Sequence, residues 1–496
     1  MARQILRLAA TALAAAAFAV SASAQSLIRD AEIEETLREW TDPILTVAGL
    51  NPSDVGFYII NDPSLNAFVA NGQNIHIHTG LIIAADSPDE IKGVIAHETC
   101  HIACGHSVSR QRAAEIASRP ALLSIGLGLL AIAAGEGGAG AALIGSSQQF
   151  AALNFFVHTR AEESMADAAA VEYLSQLHES TGGIVRFFDK FRYQEVLSSA
   201  RRYPYFRSHP LASDRIRAVR QLAEQSGLMN EPPTEREQYQ YDMMRAKLIG
   251  FLDTPNKVKN EYPASDDGEP AHYARSIAAL QVSDIDVALK EIDILLEREP
   301  DNPYFHELKG QILFESGRTA ESVAPHKRSL ELKPGQPLLL INYARSLNAR
   351  DEPGDVEAAE AALRDALIAE PDNAFAWTQL AVTLEKQGHR PEAQLATAES
   401  AYAIGDIVRA NSFAHRAADQ LERGTPDFRR ADDILLITGQ SRFLQSRQPG
   451  PAPVPPDQRT RHALRQFRNR HHNRPALINF MSAAMDGGRT DRIHDG

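Results

Sequence analysis

Val94-Ile95-Ala96-His97-Glu98-Thr99-Cys100-His101 is the stretch on which the reading of this chain turns. An apolar run leads into two histidines four apart, with a glutamate directly after the first. On a helix such positions lie about 40° apart around the axis and roughly 6 Å along it, so both imidazoles reach one ion. Glu98, one step round from His97, is placed to hold an ion-bound water and accept its proton, the arrangement a zinc hydrolase needs. Two surface histidines on a helix are the plain alternative, and the apolar run before the motif speaks against it.

A catalytic zinc takes a third protein ligand and leaves a fourth position open. The run from Thr159 to Ala170 reads as a second helix and offers Glu163, with Glu162 competing on spacing alone. Asp167, one turn on from Glu163, points the same way and is placed to accept the distal N–H of a ligating imidazole, fixing its tautomer. Cys100 and Cys104 sit inside the motif helix, and Cys104 is read as a small packing residue rather than a ligand. A disulfide between helix positions four apart demands strained geometry, so both are expected to be free thiols.

These residues lie in a chain of 496 residues and 54.4 kDa, too long for one hydrophobic core, so two or three domains are expected. With 44% hydrophobic and 23% charged residues it is neither largely disordered, collagen-like nor a polytopic membrane protein. A net charge of −13 argues against a nucleic-acid partner. Arg3 and Arg7 precede an apolar run from Leu8 to Val20, and Ala22-Ser23-Ala24 follows, so residues 1–24 read as a cleaved signal peptide. The apolar run is shorter than the roughly 20 residues a spanning helix needs. Gln25 rather than Cys follows the cleavage site, so no lipid anchor is implied. A soluble mature chain in a bacterial periplasm is expected, with secretion beyond it as the alternative.

The mature chain divides by pattern. Residues 25–225 mix helical and strand signals and form the metallopeptidase domain; 226–268 is a linker region around a helix near 236–251; 269–435 is helical throughout. Pro300, Pro334 and Pro371 each close a helix-like run, at spacings of 34 and 37 residues. Thirty-four is the period of the tetratricopeptide repeat. The unit from Ala374 carries that pattern in order, as Trp377, Leu380, Ala381, Leu384, Gly388 and Ala393, and Ala288, Gly310, Gly317 and Ala344 fit the same frame. The small residues let two helices of a hairpin approach, and stacked hairpins make a solenoid with a concave face. Residues 436–496 read as a Pro/Arg-rich disordered tail; from Ser441 onward it holds ten Arg against four Asp and neither Lys nor Glu.

His97-Glu98-x-x-His101, then Thr159-Arg160-x-x-Glu163-x-x-x-Asp167, then His209-Pro210-Leu211-Ala212-Ser213-Asp214-Arg215-Ile216 resembles the HtpX-like metallopeptidases. With a signal peptide in front and tetratricopeptide repeats behind, the domain order is similar to their periplasmic, beta-barrel assembly-enhancing type. The likeness covers roughly residues 26–435. It implies an α+β zincin-like domain, mainly helical with a small sheet, followed by an all-α solenoid. It implies one Zn2+ per chain held by His97, His101 and Glu163, Glu98 as catalytic base, and Asp167 as the acid behind the ligands. His209 would close over the zinc as a regulatory fourth ligand in a latent state. Arg215 would orient the loop through a carboxylate or act near the oxyanion. The implied partners are unfolded or stalled outer-membrane beta-barrel proteins and their assembly machinery.

Two further segments follow from the same reading. Asn74-Ile75-His76-Ile77-His78 is similar to the family's edge strand, to which substrate adds in extended form, with His76 and His78 on its polar face. Pro120 to Ile144, apolar and Gly-rich, reads as a flap beside the site or a surface for peripheral outer-membrane contact. The rival to an endopeptidase is a non-catalytic scaffold whose repeats assist outer-membrane protein assembly and whose metal site is structural or plugged by His209. An intact Glu98 speaks against it, since a structural zinc needs no base beside its ligand.

Overall fold

A computed structural model describes residues 27–70, 72–106, 160–192, 209, 213–446 and 478–479. Residues 1–24, read as a signal peptide, the apolar run 120–144 and most of the tail lie outside the described residues. Strand β1 (Leu27–Arg29) leads into helix α1 (Ala31–Val47), whose first turn is capped by Asp30 accepting from the Ile33 N–H at 2.9 Å. Strands β2 (Gly56–Ile60), β3 (Ala67–Ala70) and β4 (Asn74–His78) follow, and short helix α2 (Thr79–Ala84) leads to the motif helix α3 (Pro88–Ala103). The sheet order is β3-β4-β2-β1-β5, where β5 is Ile478–Asn479, paired parallel with β1.

This order corrects one expectation. Strand β4 is an inner strand, antiparallel to β3 and parallel to β2 along its whole length, so both its sides are taken. The edge beside the motif helix is β3. Alternation does hold: Ile75 and Ile77 are buried, while His76 stacks between Tyr58 and Phe68 on the other face. His78 is not on a polar surface. The chain turns into α2 there, and His78 is buried with its Nδ1 at 2.9 Å from Ser64 Oγ.

Residues 160–176 form helix α4, followed by α5 (Gly183–Arg192) and α6 (Ser213–Ser226). Helix α5 lies against α3 at Gly93, where a Cβ would stand 2.6 Å from the Ile184 backbone nitrogen, so only glycine permits the contact. That approach seats Phe187 and Phe188 beneath the motif helix.

Between 226 and 268 run α7 (Glu235–Leu252), opened by a Thr234–Glu237 capping box, and α8 (Pro255–Glu261). The inner face of α7 (Tyr241, Met243, Met244, Leu248) joins the same core as Ile91, Val94 and Ile95 of α3. From there the chain is a stack of helical hairpins: α9 (Glu269–Gln281) with α10 (Ile285–Arg298), α11 (Pro303–Glu315) with α12 (Thr319–Leu332), α13 (Pro337–Arg350) with α14 (Asp355–Ala369), α15 (Ala374–Lys386) with α16 (Arg390–Ala403), and α17 (Ile407–Ala418) with α18 (Pro426–Ser446). Ala288 and Ala344 are fully buried at hairpin contacts, and Gly317 and Gly388 take the left-handed turn between helices. Helix α18 continues to Ser446, past residue 435. No described helix is long and apolar enough to cross a membrane.

Candidate metal centre

Helix α3 presents His97 and His101 on one face, both buried, with their Nε2 atoms 3.1 Å apart. Across from them α4 brings Glu163, wholly buried. Its Oε2 stands 3.3 Å from His97 Nε2 and its Oε1 3.5 Å from His101 Nε2. His209 closes the group, its Nδ1 3.3 Å from His97 Nε2 and 3.0 Å from Glu163 Oε2. Four donors bonded tetrahedrally to one zinc at the usual 2.0–2.1 Å would stand roughly 3.3 Å from one another. The five separations here run from 3.0 to 3.5 Å, so the donor set and its spacing fit such an ion.

The charge environment fits as well. Burial disfavours a charged His97 imidazole, but hydrogen bonding and charge from Asp167 and Glu163 outweigh it and raise its pKa to about 9. Burial likewise opposes ionisation of Glu163, and the charges and hydrogen bonds of His209 and His97 overturn that, holding it well below the usual carboxylate range. A pocket that holds Glu163 and Asp167 as anions and favours positive charge on His97 is one that takes a cation.

Behind these donors, Asp167 Oδ1 lies 2.9 Å from His97 Nδ1, the ring nitrogen turned away from the centre. Asp167 is in turn gripped by Arg215 of α6, with Nη2 donating to Oδ1 at 2.8 Å and Nε donating to Oδ2. Arg215 Nη1 also stands 3.2 Å from Glu163 Oε2, and its guanidinium lies 5.2 Å from the Phe188 ring centroid. Burial pushes Asp167 up, and the Arg215 hydrogen bonds and charge bring its pKa below the ordinary value. Arg215 is thus set against two carboxylates, Asp167 and Glu163.

Glu98 is fully buried one residue from His97, and neither carboxylate oxygen accepts a hydrogen bond among the described residues; His209 Nε2 lies 3.3 Å from Oε1. A buried carboxylate left so is costly unless something polar reaches it. One carboxylate oxygen of Glu98 and one nitrogen each of His97, His101 and His209 lie within 4.8 Å of one another.

The cysteine expectation is overturned: Cys100 and Cys104 are joined by a disulfide. Spacing of four along an ideal helix keeps the two residues roughly 6 Å apart along the axis. Cys104, however, caps the helix rather than continuing it, and the Cα atoms come to 5.2 Å, inside the normal range for a bridge. Sequence reading also passed over His106, which is buried with its Nδ1 at 2.9 Å from His101 Nδ1. The signal for it was present: a histidine five after His101, directly behind a glycine at a helix end.

Residues 28–223 match the family model "Peptidase family M48". The chain is 25% identical over 402 residues to the "Beta-barrel assembly-enhancing protease" of Escherichia coli (strain K12), covering 79% of each chain. It is 25% identical over 441 residues to the "Putative beta-barrel assembly-enhancing protease" of Vibrio cholerae, covering 85% of this chain and 87% of that one. "Metalloprotease YcaL" of Escherichia coli (strain K12) is 26% identical over 178 residues, 34% of this chain and 63% of its own. The paired histidines, the acid helix behind them and the match to the Peptidase family M48 model fall in the same segment, residues 28–223, and the chain is a metalloendopeptidase.

Proposed function

We propose that the chain is a periplasmic zinc endopeptidase, with a chaperone-like role, acting on unfolded or misassembled outer-membrane proteins. The observation that carries the reaction is the placing of Glu98, buried and free of hydrogen bonds from the described residues, against the imidazoles of His97, His101 and His209. His97, His101 and Glu163 would hold one Zn2+, which when bound supplies Lewis acidity to the scissile carbonyl and to a water. Glu98 takes the water's proton on a carboxylate oxygen and delivers it to the nitrogen of the departing amine. Asp167 keeps His97 in the tautomer that presents Nε2, and Arg215 keeps Asp167 ionised in a buried setting.

His209 stands at the position a water would need, so we read the present arrangement as a latent one in which His209 is the fourth donor. The periplasmic assignment draws support from the signal-like residues 1–24 and from the Cys100–Cys104 disulfide, which suits an oxidising compartment. The clients draw support from the relatives named for beta-barrel assembly. The position of His209 also favours a second reading, a scaffold whose metal site is permanently plugged.

Zinc content measured together with cleavage of an unfolded protein such as casein, for the mature chain and His209→Ala, separates the two. One zinc per chain with cleavage raised by the substitution supports the latent endopeptidase; one zinc with no cleavage from either supports the scaffold. Glu98→Gln is expected to keep zinc and abolish cleavage, and cleavage retained by it would sink the mechanism.

A further inference from the structure

We propose that His106 is a positioning residue for the metal ligand His101, carried on a turn that the Cys100–Cys104 disulfide fastens. The inference rests on reading the His97, His101 and Glu163 cluster as a metal site. Helix α3 ends with the Cys104 N–H donating to the Cys100 carbonyl at 2.7 Å and the Gly105 N–H donating to the Ile102 carbonyl at 3.0 Å. Gly105 then takes φ +70°, a left-handed conformation that a residue without Cβ adopts at little cost. The chain doubles back, and the very next residue, His106, returns to the helix and is buried against His101, their ring centroids 5.0 Å apart.

Proton placement follows from the contacts. His101 Nε2 faces His97 Nε2 and Glu163, so its lone pair is the one available to an ion, and the ring proton belongs on Nδ1. That N–H donates to His106 Nδ1 at 2.9 Å, which makes Nδ1 of His106 the lone-pair nitrogen and puts its proton on Nε2. This contact thus couples the tautomers of the two rings and bears on the angle at which His101 is presented. The two histidines are held differently: His97 leans on the Asp167 carboxylate, His101 on the His106 ring. The disulfide spans the same turn. Cys100 is the chain neighbour of His101, and Cys104 stands two residues before His106, so the covalent link limits how far His106 can leave its partner.

The test is the affinity of the full chain for zinc, by competition with a chromogenic chelator, with circular dichroism to verify folding and His101→Ala as reference. His106→Ala and His106→Gln are expected to weaken binding by about 10- to 100-fold. His106→Asn places an amide oxygen where Nδ1 was and is expected to recover most of that loss, which a merely space-filling role would not do. A Cys100→Ala/Cys104→Ala double variant is expected to weaken zinc in the same direction, and to add less than its full effect on top of His106→Ala. The inference falls if a folded His106→Ala binds as tightly as the parent, or if His106→Asn is as weak as His106→Ala. If His101→Ala loses zinc while every His106 variant keeps it, the metal-site reading stands and only this inference fails. Parent-like binding by His101→Ala would remove the metal-site reading, and the inference with it.

Discussion

Asp167 and Arg215 show how much of this site depends on side chains that would never touch a substrate. Buried Asp167 is ionised because Arg215 grips both its oxygens, and it faces His97 because α4 presents it one turn from Glu163. Asp167→Asn should keep the shape but remove the charge behind His97, with zinc affinity falling about 10- to 100-fold in a chelator competition. Arg215→Met should act on stability as well. Removing one partner of a buried ion pair strands the other charge, at a cost of about 3–5 kcal/mol, read as a lower midpoint in urea. The grouping of His97, Glu98 and His101 on one helix was legible in the sequence because spacing along a helix is local. Glu163 over Glu162 was legible only through resemblance, since two adjacent acids differ on a helix by which way the helix faces, and packing decides that.

At the scale of elements, the hairpin α11–α12 shows how a repeat is held together. A Cβ on Gly310 would lie 2.3 Å from His326 Cδ2, so the two helices meet at a glycine against an imidazole. Gly310→Ala is expected to cost about 1–3 kcal/mol from overpacking, despite alanine's better helix propensity, and the loss would appear in the urea midpoint of the solenoid. His326 itself is buried with Nδ1 at 2.6 Å from Ser346 Oγ, and burial, aided by the nearby Arg345 charge, lowers its pKa from 6.5 to about 3. The folded state therefore refuses a proton that the unfolded chain accepts. Stability contributed by neutral His326 is fully present above pH 6.5 and is lost as pH falls towards 3, at roughly 1.4 kcal/mol per unit as an upper bound. His326→Asn should flatten the acid side of the stability profile, and an unchanged profile would show that other groups govern it.

Over the whole molecule, the solenoid is not an appendage. Ala31, at the start of α1, packs in one cluster with Leu339, Ile341 and Trp377 of the repeats, and Arg29 reaches Glu370 at 2.6 Å. At the centre of this junction Lys247 of α7 is wholly buried, with its Nζ 2.8 Å from Asp30 and 3.0 Å from Glu32, and Tyr273 of α9 donates to Glu32 at 2.7 Å. The cation thus ties the first turn of the peptidase domain to the helices that begin the repeats. Lys247→Met would leave two carboxylates buried without their cation, and a loss of about 3–5 kcal/mol is expected. Faster hydrogen exchange in residues 27–37 than in α3 would locate the loss at the junction; uniform exchange would contradict that location.

The sequence by itself determined the elements whose signal is periodic or closely spaced: the motif helix, the acid helix behind it and the hairpin repeat from Pro300 onward. Local spacing sets these, since helix geometry converts residue separation directly into direction. Only the tertiary structure decided the rest. It placed β4 inside the sheet rather than at its edge, because strand order depends on which segments pair. It joined Cys100 to Cys104 because the helix stops there, and it turned His106 back onto His101 through Gly105. It brought His209 to Glu163, 46 residues away in the chain, and Lys247 to Asp30, 217 away. Contacts between residues so far apart in the chain are chosen by the packing of whole elements, and no local pattern records them.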